Sequence, residues 1–327
     1  MRRVWSFCVT VLLLVAAGLP GAARADAERF SRSVVGIEAE SVRDARSAAT
    51  LGSLRRASGA VIDDAGLILT IGFVVMEAER VFVRDRDGRR VPAAVVAYHA
   101  ESGLGLVRAG AAISAPALRL ADTEKLVPRA RVTVVAQGGA GAALPAVVVA
   151  RRAYAGAWEY LLERAIFTSP PHPHWTGAAL IDGEGRLAGI GYLNVPDALP
   201  DGPLPGNMFV PVDLLKPILA DLLTDGRAAG PHRPWVGVYA SEVRGRLFVD
   251  RVAAGGPAQA AGIEPGDILL GVADRPVRGL EAFYRQLWGA GAAGAEIEFT
   301  VLRDLEPLTL RLRSADRYDW LRKPQSF

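Results

Sequence analysis

Between residue 33 and about residue 212, apolar residues come in short runs broken by Gly, Asp and Pro. The runs at 33–37, 59–62, 67–70, 80–84, 93–96, 104–107, 131–136 and 187–191 are rich in Val, Ile and Leu. Such even spacing predicts the strands of an all-β barrel or sandwich. Asp63-Asp64-Ala65-Gly66 and Asp85-Arg86-Asp87-Gly88 carry the turn chemistry of tight hairpins. Residues 118–125, followed by Pro128, read as a connection, and the polar, Arg-containing stretch 41–57 as a loop.

The period then changes. Val212, Leu215, Ile218, Leu219 and Leu222 recur at helical spacing, which predicts a helix over 211–226 with Gly226 as its stop. The Gly-, Pro- and Arg-rich segment 226–234 is the expected linker. Beyond it, 235–239 and 246–252 read as strands, and 266–272 as a turn running into another. Leu280, Phe283, Tyr284, Leu287 and Trp288 form an amphipathic helical stripe, and 296–303 with 308–313 a closing hairpin. The expected organisation is a leader at 1–25, a first domain at 26–225, the linker at 226–234, a second domain at 235–316 and a tail at 317–327.

The leader reading rests on Arg2 and Arg3 ahead of a mostly apolar stretch over 9–19, then Ala23-Arg24-Ala25 as a cleavage site. The apolar stretch is shorter than the roughly 20 residues of a bilayer span. A cleaved signal implies a periplasmic or secreted protein; an uncleaved one implies an inner-membrane anchor. Cleavage removes three arginines, so the formal charge of +3 falls to zero (35 basic against 35 acidic residues). Basic residues form no stripe interleaved with aromatics, so no nucleic-acid partner is expected. Cys8, the sole cysteine, lies within the leader, which leaves the mature chain without disulfide or thiol nucleophile.

The stretch Gly256-Pro257-Ala258 through Ala261-Gly262-Ile263, then Pro265-Gly266-Asp267-Ile268-Leu269-Leu270, resembles the central signature of PDZ domains. In that resemblance Trp235-Val236-Gly237-Val238 is the carboxylate-binding loop, whose backbone N–H groups take a peptide C-terminus while the peptide adds a strand beside Val238. The helix 280–290 is then the opposite wall, with Phe283 and Leu287 facing the peptide.

Residues 30–225 resemble the protease domain of the HtrA family. Ser33-Val34-Val35-Gly36-Ile37, Ser58-Gly59-Ala60-Val61-Ile62, Leu118 to Leu126 and Asn207-Met208-Phe209-Val210-Pro211-Val212 match its recurring segments. The resemblance implies a mainly β fold: a chymotrypsin-like double β-barrel followed by one α+β PDZ domain. It also implies a trimer, with Phe30 near the mature N-terminus at the interface.

Its active-site motifs are altered. Leu67 to Val75 matches a strand and turn that should end in the catalytic histidine, and Phe73 occupies that place. Gly103 stands where the orienting aspartate belongs, and Thr176, in His174-Trp175-Thr176-Gly177-Ala178, where the serine belongs. A phenyl ring accepts no proton, and a histidine without its carboxylate loses about 10⁴ in kcat. His174 in place of a glycine is expected to misform the oxyanion hole. Phe73 and Trp175 are expected to fill the emptied cleft.

The reading is therefore a catalytically inactive HtrA-like envelope protein without cofactor or metal, His172-Pro173-His174 lacking further ligands nearby. It binds C-termini or extended, unfolded segments of envelope proteins as adaptor, chaperone or regulator of an active HtrA-type protease. One rival is a serine-type endopeptidase using Thr176 as nucleophile, with His99, His172 or His174 as base. Another is a structural protein whose PDZ domain contacts only its own first domain.

Overall fold

The computed structural model describes residues 28–138 and 143–323, so the leader at 1–25 and Cys8 lie outside the described residues. The short apolar runs become two closed six-stranded barrels. The first comprises β1 (Val34–Ser41), β2 (Leu54–Val61), β3 (Leu67–Ile71), β4 (Ala78–Arg84), β5 (Arg90–His99) and β6 (Leu104–Ala109). The second comprises β7 (Arg131–Val135), β8 (Ala143–Gly156), β9 (Tyr160–Ser169), β10 (Ala179–Ile181), β11 (Leu187–Val195) and β12 (Gly206–Pro211). Closure removes the exposed edges of each sheet. Antiparallel pairing in register, for example Val35 opposite Gly59 and Ile68 opposite Val107, turns Val, Ile and Leu inward. Ile37, Ile68, Leu69, Ile71, Leu104 and Leu106 are fully buried there.

Two expectations for the first domain change. The polar segment 41–57 is only partly loop, because Leu54 onward belongs to β2. The buried residue hiding that strand is Arg55, whose guanidinium donates to the carbonyls of Gly52, Phe73 and Met76 and to Ser47 Oγ. The helix expected over 211–226 is broken: a 3-10 turn, Val212–Leu214, precedes α1 (Leu219–Asp225). Pro217 lacks an N–H to donate and restricts the residue before it, so the helical period cannot run through.

The second domain is an antiparallel sheet ordered β13 (Val238–Val243), β14 (Arg246–Val252), β15 (Ile268–Val272), β17 (Glu296–Arg303), β18 (Glu306–Arg313), with β16 (Arg275–Pro276) beside β15. The helix α2 (Leu280–Gly289) buries Phe283, Tyr284 and Leu287, as its stripe predicts. The Gly266-Asp267 turn is clamped by Arg303, which donates to Asp267 at 2.7 and 2.8 Å. Burial pushes the Asp267 carboxyl up, but the hydrogen bonds from Arg303 hold it below its usual range. Within this sheet β13 is an edge strand, and a segment of the first domain lies along it. No helix among the described residues is long and apolar enough to cross a membrane.

Candidate functional site

Phe73 sits on a short helical turn, Gly72–Val75, immediately after β3. Its ring packs against Tyr192 of β11, with centroids 5.9 Å apart. Gly103, just before β6, has φ +74°, and a Cβ there would lie 3.1 Å from the Tyr160 hydroxyl oxygen. Tyr160 thus takes the space a side chain at 103 would need, and its hydroxyl donates to the Ser102 carbonyl at 2.7 Å. A left-handed backbone and a filled neighbourhood together disfavour a carboxylate at this position.

Thr176 lies on the loop before β10, and its carbonyl accepts from the Ser58 N–H at 2.9 Å. Two residues earlier, the His174 N–H donates to His172 Nδ1 at 3.0 Å, so this would-be oxyanion donor is already engaged. The His172 side chain is buried, and the His172 backbone N–H donates to Asn207 Oδ1. His174 is exposed. His99 pairs through Nδ1 with Ser102 Oγ at 2.8 Å, and burial holds its imidazole below the ordinary value. Its nearest recorded partner is thus on its own turn, not on the Thr176 loop.

Phe73 and Trp175 do not fill the cleft. They line one side of a cavity of about 390 Å³ that also takes in Gly103, Tyr98, Trp158, Tyr160 and Tyr192. The C-terminal segment adds Arg317, Trp320 and Leu321 to its lining. The tail, unread in the sequence, is thus part of the wall.

The second site is the loop 235–238. Three backbone N–H groups, those of Val236, Gly237 and Val238, converge on one carboxylate, as the resemblance implies. That carboxylate is Glu159 of the first domain. Val236 donates to Oε2 at 3.1 Å, Val238 to Oε1 at 2.8 Å, and Gly237 also to Oε1. Gly237 has φ +82°, and a Cβ there would lie 2.9 Å from that of Ala253, so the loop's shape depends on glycine.

Glu159 stands at the tip of the β8–β9 hairpin, whose turn reads Ala157-Trp158-Glu159. The Ala240 N–H of β13 donates to the Ala157 carbonyl at 3.2 Å, so the hairpin tip pairs with the strand edge that a peptide would use. From α2, the Tyr284 hydroxyl donates to the Gly156 carbonyl at 2.6 Å and accepts from the Glu159 N–H at 3.2 Å. Leu161 enters the hydrophobic core of the second domain alongside Val236, Val238, Phe283 and Leu287. Arg285 of α2 pairs with Glu163 at 2.7 Å on the rim. Trp235, Val236, Val238, Phe283 and Leu287 are all buried, Val236, Phe283 and Leu287 completely. The expected groove walls come together, but around a segment of the same chain.

Burial pushes the Glu159 carboxyl up to about 7, against the pull of the three N–H groups and of Arg317. Nothing in the sequence marked Glu159, a lone acid in a short turn. Its left-handed conformation (φ 54°) is visible only in three dimensions. Phe30, expected at a trimer interface, is 8% exposed and belongs to the core of the barrels. Among the described residues, no group of three His, Cys, Asp or Glu is placed to hold a metal.

Comparison with known proteins agrees with this architecture. Residues 57–190 match the trypsin-like peptidase domain family, and residues 234–313 match the PDZ domain family. The periplasmic serine endoprotease DegP of Salmonella typhimurium is 27% identical over 271 residues, 78% of this chain and 56% of DegP. The chain therefore spans little more than half of that relative. The serine endoprotease DegS of Escherichia coli K12 is 25% identical over 274 residues, 78% of this chain and 75% of DegS. In fold, the HtrA-type protease AlgW, solved with a decapeptide, aligns with 92% of this chain and 99% of its own at TM-score 0.54 and 20% identity. The chain thus carries a trypsin-like peptidase domain followed by a PDZ domain, and along about three quarters of its length it is similar to serine endoproteases of the DegP and DegS kind.

Proposed function

We propose that this protein is an HtrA-type polypeptide-binding protein without protease chemistry, acting in the bacterial envelope as an adaptor, chaperone or regulator in protein quality control. The observation that carries the reading is the convergence of the Val236, Gly237 and Val238 N–H groups on a carboxylate. A loop that holds the Glu159 carboxylate this way has the donors for a peptide C-terminus. Peptide and hairpin compete for the same N–H groups and the same β13 edge, so binding in trans requires the hairpin to leave. Loss of proteolysis is supported by Phe73, Gly103 and Thr176 at the triad positions and by the engaged His174 N–H.

The test is titration of a labelled peptide, apolar at its C-terminal residue, into the wild-type chain and Glu159→Ala. The variant should bind at least about tenfold more tightly, equivalent to about 1.4 kcal/mol. The same peptide with an amidated C-terminus should bind neither protein. Absence of binding to both proteins would make the groove a purely structural joint. Equal affinity in the two would leave peptide binding standing and remove the competition.

A further inference from the structure

We propose that the aromatic cavity beside the altered triad positions is a binding site for a small amphiphile, an apolar body carrying one carboxylate, and that Arg317 receives the carboxylate. The volume of about 390 Å³ falls within the roughly 300–1,000 Å³ of small-molecule sites. At about 30 Å³ per heavy-atom-sized unit, it takes a ligand of roughly a dozen non-hydrogen atoms. Rings from both barrels and the C-terminal segment form the walls, a surface suited to aliphatic or aromatic bodies.

The head group follows from charge. Arg46, Arg251 and Arg317 line the cavity, and no Asp or Glu does. Two of the three are engaged elsewhere. Arg46 donates to the Ala254 carbonyl at 2.9 Å and lies over the Trp320 ring, while Arg251 lies over the Tyr239 ring. Arg317 differs. Its Nη1 makes one long bond, 3.4 Å, to the Trp158 carbonyl. Its Nε, like that of Arg46, is shut off from solvent with no hydrogen-bond partner among the described residues, but its head group has no aromatic ring recorded against it and no short carbonyl bond. Glu159 attracts Arg317 through the interior but forms no ion pair with it among the described residues, so a ligand carboxylate at hydrogen-bond distance matches the guanidinium's paired donors.

A small molecule fits better than a polypeptide because the chain's own tail covers one side of the site. The tail crosses as Arg317, Trp320 and Leu321, and the Arg322 N–H is tied to Glu77 Oε1 at 2.7 Å. Trp235 and Trp320 pack with centroids 4.7 Å apart, which secures the same roof to the second domain. A threaded peptide would have to open these contacts, whereas a ligand of a dozen atoms enters whole.

The test uses the purified protein and its intrinsic tryptophan fluorescence, since Trp158, Trp175 and Trp320 line the cavity. It is titrated with dodecanoate, dodecanol, dodecylammonium and 2-naphthoate. Dodecanoate should bind at least tenfold more tightly than dodecanol, and dodecylammonium should not bind. The relation of 2-naphthoate to dodecanoate distinguishes an aromatic from an aliphatic body, and a stronger response to either supports the site. Arg317→Gln should erase the preference for carboxylate over alcohol, and Arg251→Gln should keep it. Leu193→Trp, which fills the cavity without touching the arginines, should lower dodecanoate affinity at least tenfold. Equal binding of dodecanoate and dodecanol by the wild type overturns the proposal, as does no binding of either. So does a carboxylate preference that survives Arg317→Gln.

Discussion

The two sites differ in what they are made of. At the cleft, the resemblance places chemistry in three side chains, and Phe73, Gly103 and Thr176 supply neither base, orienter nor serine. In the PDZ loop, the donors are backbone N–H groups, which every residue except proline provides. A side-chain site is lost by single substitutions, because imidazole and carboxylate have no substitutes of equal pKa and shape. A backbone site survives sequence change as long as the loop keeps its path, here through Gly237. The same contrast explains why Glu159 finds a ready receptor: any carboxylate delivered at the right height satisfies those amides.

The largest expected effect tests the emptiness of the cleft. Removing nucleophile or base alone costs a serine protease about 10⁶ in kcat. Casein should therefore be degraded no faster by the purified chain than by Thr176→Ala. Turnover that disappears in the variant would erase the contrast between the two sites and install Thr176 as a nucleophile.

Next in size is the pH dependence of the groove's closure. The Glu159 carboxyl is raised to about 7 in the folded chain from an ordinary 4.5. The folded state therefore holds the proton more tightly than the unfolded state between those values, and stability falls as pH rises across them. The contribution is complete below about pH 4.5 and lost as pH passes 7, on the order of 3 kcal/mol. Arg317 pulls the other way, and Tyr284 faces the same turn from α2. Urea unfolding at pH 5 and pH 8 should show a steeper decline for wild type than for Glu159→Gln, which cannot titrate. Parallel curves would mean that the carboxyl stays ionised throughout.

Restoring a carboxylate at the cleft should be resisted. Gly103→Asp places a side chain at φ +74° against the Tyr160 ring. Strain and crowding of that kind cost about 2 kcal/mol. A drop of this size in urea stability is expected, and an unchanged midpoint would show that Tyr160 yields space readily. The smallest effect concerns the rim. Arg285 and Glu163 are both about half exposed, so Arg285→Ala should lower stability by less than about 1 kcal/mol and raise peptide affinity only slightly.

Much of the fold was readable because its determinants are local. Alternating apolar runs, Asp/Gly turns and the stripe from Leu280 to Trp288 each specify their element over a few residues. The failures have physical causes of the same scale. Arg55 concealed the start of β2 because its buried guanidinium is satisfied by carbonyls of distant turns. Pro217 broke a helical period that the apolar positions alone would have continued. At the sites, the resemblance assigns positions 73, 103 and 176 and the loop 235–238 through motifs, each defined by neighbours along the chain.

By itself, then, the sequence determined the strand pattern and the order of a β-barrel domain and a PDZ domain, while the resemblance assigned residues to the triad and carboxylate-loop positions. Only the tertiary structure decided what fills those positions' surroundings. Glu159 meets Val236 across 77 residues, Tyr160 meets Gly103 across more than 50, and Arg317 reaches Trp158 from the tail. Such contacts form when two separately folded surfaces are pressed together. No local periodicity encodes them, because their partners share no neighbourhood in the chain.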